Sequence, residues 1–166
     1  GATKNNKRSI IFALFTAEEL GLRGSRHLAE RLSTEKLNLY TMINFEMMGV
    51  PFLDRDYQVF ATGHDLSNMA EVLNKYAGNK LVGKSEEAAK FNLFKRSDNY
   101  AFYEQFNIAA QTISSCDLTN FDFYHHVDDE SDKLDYEHMA NVVNKFLPTL
   151  ERVINSEVQE IKMNNE

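Results

Sequence analysis

Ser9-Ile10-Ile11-Phe12-Ala13-Leu14-Phe15-Thr16-Ala17-Glu18-Glu19 is the stretch on which the fold turns. Its apolar part, residues 9–15, follows the polar Lys7-Arg8 and is too short for a core helix. Length and β-branching predict a strand buried on both faces, as in a parallel sheet. The strand runs out into adjacent acids. In open α/β sheets ligands collect beyond the carboxyl ends of the strands, so Glu18 and Glu19 stand where chemistry is expected. Residues 16–25, with Gly21 and Gly24, break the apolar pattern.

Working outward, a helix is expected over 26–32, where Leu28, Ala29 and Leu32 recur at helical spacing. Residues 40–45 predict a second buried strand, closed by Glu46, and residues 57–61 a third. Asp65 follows the break at Gly63 and is expected to cap a helix over 66–77. Residues 80–90 read as a surface connection. Ser97-Asp98 is expected to cap a helix reaching Phe106, and 108–114 is a fourth strand. Residues 116–133 form a polar and aromatic loop, long enough to suggest a task. A closing amphipathic helix over 135–157 carries Met139, Val142, Val143, Phe146, Leu150 and Ile154 on one face, with a kink expected at Pro148. Residues 158–166 are expected to fray.

Alternating strands and helices predict an α/β fold, a three-layer sandwich whose mostly parallel sheet is flanked by helices. At 166 residues the chain fits a single domain, structured over about 8–155. It is 43% hydrophobic and 26% charged, with a formal net charge of −7 and Lys and Arg scattered rather than clustered. That balance argues against a nucleic-acid partner, which calls for a basic stripe. No apolar stretch approaches the length of a membrane span. Residues 1–8 lack the apolar core of a signal peptide. Cys116, the one cysteine, cannot close an intramolecular disulfide; this suits the cytoplasm and also many periplasmic proteins.

Four places stand out as chemistry-bearing. In Glu18-Glu19 one carboxylate can ligate a metal while its neighbour stays free as a general base; the ordinary reading is a solvated pair at a helix start. Glu46 follows an apolar strand, where a carboxylate must be solvated, paired or metal-bound. Arg96-Ser97-Asp98-Asn99-Tyr100 precedes a helix and is equally an ordinary cap. The run Tyr124-His125-His126-Val127-Asp128-Asp129 sets imidazoles beside carboxylates, as suits a metal ligand with a partner fixing its tautomer, or simply a solvated acidic loop. His27, His64 and His138 read as structural.

Taken in order, these segments resemble the M28 family of zinc exopeptidases. The resemblance runs from about Arg8 to Phe146 and includes Glu18-Glu19-Leu20-Gly21-Leu22-Arg23-Gly24-Ser25, Ile43-Asn44-Phe45-Glu46-Met47-Met48-Gly49, Arg96-Ser97-Asp98-Asn99-Tyr100 and Tyr124-His125 with Asp129 and Asp132-Lys133-Leu134-Asp135. It implies an aminopeptidase that hydrolyses N-terminal residues from peptides with a free N-terminus, using two zinc ions per complete catalytic domain. Glu18 matches the general base and acid. Glu19 and His125 match ligands of one zinc, and Glu46 an acidic ligand of the other, where many members have Asp. Tyr124 matches a tyrosine that steadies the oxyanion. Asp98 and Asp129 match groups behind the ligands or on the substrate side. Val127 stands where many members have proline.

The family carries two further ligands, a histidine and a bridging aspartate, upstream of residues 9–15. Residues 1–8 hold no His, Asp or Glu. The resemblance therefore implies a partial peptidase domain, incomplete at the N-terminus, that binds zinc weakly or not at all by itself and is inactive alone. A flank of sheet left uncovered is expected to favour dimerisation by edge pairing. A glutaminyl-cyclase-like zinc enzyme and a non-catalytic domain that kept the fold are the alternatives. The resemblance also implies export of the whole protein, secreted or periplasmic.

Overall fold

The structure, a computed structural model, describes residues 6–164. Its helices are α1 (Arg23–Thr34), α2 (Met69–Ala77), α3 (Glu86–Lys90), α4 (Asn99–Phe106) and α5 (Tyr136–Asn155), and its strands β1 (Met42–Phe45), β2 (Val59–Ala61), β3 (Val82–Gly83) and β4 (Ala110–Ser114). The sheet order is β1-β4-β2-β3. β1 runs parallel to β4 with Met42 opposite Ala110 and Phe45 opposite Ile113, and β2 runs parallel to β3. The β2–β4 pair is antiparallel, so the sheet is mixed, with two of its three pairings parallel.

Strand alternation decides which helix layer each side chain meets. Along β4, Ala110 packs among Ala29, Leu32, Ala101, Phe102 and Met42, beneath α1 and α4. Ile113 points the other way, into a core of Val59, Leu73, Val142, Phe146 and Val153 beneath α2 and α5. All five residues of β4 are buried, as a strand covered on both faces requires. On α5, Val142, Phe146, Thr149 and Val153 are buried at helical spacing, and the helix continues through Pro148 as one element. The Asp135 carboxylate accepts the His138 N–H at 2.8 Å and caps it. The three-layer α/β reading holds.

Several local expectations are corrected. Residues 9–15 form no strand: they lie outside any ladder, and Phe12 and Leu14 are 89% and 102% exposed. An apolar run becomes a buried strand only when neighbours pair with its amides, and among the described residues none does. The segment is held at its ends instead. The Arg8 guanidinium donates to the carbonyls of Val153, Ile154 and Ser156 at the end of α5, a cation at a helix C-terminus, and Phe15 packs against Phe102 with ring centroids 5.9 Å apart.

Residues 80–90 are not a surface connection. Leu81 and Val82 are buried, and the stretch supplies β3 and α3, the latter capped by Ser85. β3 is too short to show a period. Asp65 caps nothing. The Ser67 hydroxyl takes the Met69 N–H, while Asp65 pairs with Lys84 at 2.7 Å. Nor does Ser97 or Asp98 cap α4 with its side chain. The tail is docked rather than frayed as far as Asn164. Ile161 is buried, its N–H donates to the Tyr40 hydroxyl, and Met163 bridges to Ser67. The last two residues lie outside the described ones.

Candidate active site

β1 delivers Glu46. Two-residue alternation puts Asn44 and Glu46 on the α1/α4 side, while Ile43 and Phe45 face α5, where Phe45 meets Phe146 edge-on at 5.1 Å. The Ser97 hydroxyl donates to Glu46 Oε2 at 2.5 Å. Burial pushes the Glu46 carboxyl above its ordinary pKa, the Ser97 bond opposes the rise, and the carboxylates of Glu18 and Asp98 add to it. Asp98 is buried, and its Oδ1 has no hydrogen-bond partner. Its pKa is raised by that burial.

Glu18 and Glu19 sit in a tight loop leading into α1. The N–H groups of Gly21 and Leu22 both donate to the Glu18 carbonyl, and Gly24 N–H donates to Thr16 O at 3.1 Å. A Cβ on Gly24 would fall 2.6 Å from the Thr16 carbonyl oxygen, so only glycine allows this approach. Glu18 has its pKa raised by burial first, then by Glu19 and Asp98, with Arg96 and His125 pulling the other way. Those four groups are its electrostatic neighbours.

The loop after β4 supplies the rest. His125 Nε2 lies 3.0 Å from Glu19 Oε1, joining residues 106 positions apart. The Tyr124 ring stacks on His125 at 4.0 Å, and Arg96 Nη2 donates to the Tyr124 hydroxyl at 3.2 Å. Burial raises the Tyr124 pKa; Arg96 lowers it, and Glu19, Glu18 and Glu46 raise it. Ala17, Met47 and His125 all adopt left-handed backbone, with φ of 56°, 48° and 57°. Non-glycine residues rarely do so, and such strain gathers where a side chain must be aimed. Each of these three is, or adjoins, a site candidate, while Leu22, Lys36, Asn92, Asn107 and Leu118 share the conformation elsewhere.

The structure thus brings together Glu18, Glu19, Glu46, Asp98, Tyr124 and His125. Asp129 is left out: it is exposed, its N–H donates to the His126 carbonyl, and its carboxylate is felt by buried Cys116 rather than by Glu18. Arg96, and Asn44 behind Ser97, were quoted within their motifs but given no role by sequence reasoning. The available signal for Asn44 was its place two residues before Glu46, on the same strand face. A cavity of about 230 Å³ between His64, Lys84, Asn92 and Phe94 shares no residue with this cluster.

Imidazole nitrogen and carboxylate oxygen are the donors zinc takes. The Glu19–His125 contact is the spacing of two ligands sharing one ion, and the partnerless Asp98 oxygen beside Glu18 and Glu46 leaves a concentration of negative charge that a cation would offset. The donors fit a metal as two separate halves. Among the described residues no three of His, Cys, Asp or Glu converge on one point.

The sequence model of peptidase family M28 matches residues 1–150. A crystal structure of LapA from Legionella pneumophila superposes with a TM-score of 0.70 at 19% identity, over 93% of this chain and 43% of that one. A second, of the LapA aminopeptidase of the same organism, gives 0.70 at 21% identity, over 95% and 42%. Likeness at such identity speaks for the fold, and the chain spans less than half the length of either structure.

Proposed function

The chain belongs to peptidase family M28, and on that footing we propose that the whole protein is a zinc-dependent aminopeptidase, with Glu18, Glu19, Glu46, Tyr124 and His125 in its active site. The observation that carries the reading is the meeting of His125 Nε2 with Glu19 Oε1 at 3.0 Å, beside a Glu18 of raised pKa. Glu19 and His125 would hold one zinc and Glu46 the other, each with further donors from outside the described residues. Bound there, zinc supplies Lewis-acid polarisation of the scissile carbonyl and a more acidic water.

The remaining steps belong to side chains. Glu18 takes the proton of the attacking water and passes it to the departing amine, first as base and then as acid. A carboxyl raised above its ordinary pKa suits both halves of that transfer. The Tyr124 hydroxyl, steadied by Arg96, donates to the oxyanion as it forms. Asp98 lies behind Glu18 and Glu46 and adds negative charge that favours a bound cation. The chain alone is expected to be inactive, since neither half-site has the three protein ligands usual for catalytic zinc.

Glu18→Gln in the full-length protein tests the assignment. Hydrolysis of leucyl peptides is expected to fall roughly 100- to 10,000-fold, with zinc content unchanged. An active variant, or a wild-type protein that cyclises glutaminyl peptides instead, would overturn it.

A further inference from the structure

We infer that Asn99, Thr112 and Asn44 form a one-way hydrogen-bond chain that fixes the orientation of Glu46 through Ser97, making them positioning residues for the acidic ligand. The inference rests on the peptidase reading above and extends it to residues with no place in the reaction itself.

The direction of the chain follows from counting protons. The Asn99 side-chain amide donates to the carbonyls of Phe94 and Ala110, each at 3.2 Å. Both carbonyls can only accept, so the Asn99 amide cannot be turned around, and its Oδ1 must accept. It does so from the Thr112 hydroxyl at 2.8 Å. With its single proton committed, Thr112 Oγ1 can only accept from Asn44, whose Nδ2 stands 3.0 Å away. This fixes Asn44 in turn. Its Nδ2 also lies 2.8 Å from Ser97 Oγ and donates there. Ser97 therefore keeps its own proton for Glu46 Oε2, at 2.5 Å.

The side-chain links run from 2.5 to 3.0 Å, and Asn99, Thr112 and Ser97 are almost completely buried, so water has little access to those three. Three elements meet in the chain. Asn44 and Thr112 are register partners across β1 and β4, and Ser97 and Asn99 flank the start of α4. A hydrogen bond whose donor cannot be reversed tethers Oε2, and the Asn44 amide also acts on the same carboxylate. Were Asn44 free to flip, its carbonyl would take the Ser97 proton, and Glu46 would lose the tether. Partners behind a metal ligand typically change affinity 10- to 100-fold.

The test titrates the metal-free full-length protein with cobalt(II) and follows its visible spectrum. In Thr112→Val, which keeps the shape and removes the link, one of the two cobalt equivalents is expected to weaken about 10-fold. The equivalent held by Glu19 and His125 should stay as in wild type. Thr112→Ser restores both the hydroxyl and the affinity. Asn44→Leu, at the less buried end, repeats the selective loss if the valine variant does not fold. A folded variant that binds both equivalents like wild type, or a serine variant that fails to rescue, overturns the inference. If the wild-type protein takes up no cobalt, the peptidase reading falls, and the Asn44 side-chain amide decides the chain by itself. Its NMR signals, assigned with Asn44→Leu, should move in Thr112→Val and return in Thr112→Ser. Signals that do not move overturn the inference.

Discussion

Asp98 shows what burying a carboxylate among other carboxylates costs the fold. It is buried, its Oδ1 has no partner, and burial holds its carboxyl above the ordinary value of 3.8. Folding therefore disfavours the ionised form. Above the raised pKa that penalty is present in full, and it fades as pH falls towards 3.8, where folded and unfolded chains both carry the proton. Asp98→Asn should stabilise the metal-free chain by about 1 kcal/mol near neutral pH and by almost nothing near pH 3. Urea midpoints at the two pH values check this, and an equal gain at both would remove ionisation as the cause. At this scale residue type and neighbours were enough to single out Glu18, Glu19 and His125 as candidates, which the structure brings together. It was silent on Asn44, because an asparagine in a strand declares its partner only once β4 is laid beside it.

At the scale of elements, the turn into α1 does the positioning. Gly24 passes so close to Thr16 that an added Cβ would meet backbone atoms at 2.6 and 2.8 Å, and backbone, unlike a side-chain tip, cannot rotate away. Gly24→Ala should displace the loop that carries Glu18 and Glu19 while leaving α1 helical. A shift on the order of 1 Å at a reacting group can cost on the order of 100-fold in rate. A fall of that order in peptide hydrolysis by the full-length protein, with an unchanged circular dichroism spectrum, is the expected result. Full activity would show that the loop adapts. Helices α1, α2, α4 and α5 and the strands β1, β2 and β4 were legible from periodicity and β-branching. β3 was not, since two residues carry no period. Residues 9–15 had the composition of a buried strand, but a strand is defined by the amides that pair with it.

For the whole molecule, that apolar segment dominates. Ile10, Ile11, Phe12 and Leu14 are all exposed, and β1, at the end of the sheet order, leaves one edge open among the described residues. Open edges and contiguous apolar surface both favour association. The 166-residue chain in isolation should therefore self-associate as its concentration rises, and Phe12→Lys with Leu14→Lys should return it to monomer. Sedimentation velocity over a range of concentrations measures this; a monomer throughout would count against pairing through this edge.

The sequence by itself determined the α/β class, the family, and the order of the segments that carry carboxylates and imidazole, because periodicity and residue chemistry are local properties. The tertiary structure decided which of them meet. His125 reaches Glu19 across 106 residues, while Asp129, four positions further on, is exposed and is not among the groups that act on Glu18. Only the pairing of β1 with β4 completes the chain from Asn99 to Glu46. Side-chain direction depends on strand register and on the left-handed turns at Ala17, Met47 and His125, and both are set by the packing of the whole chain.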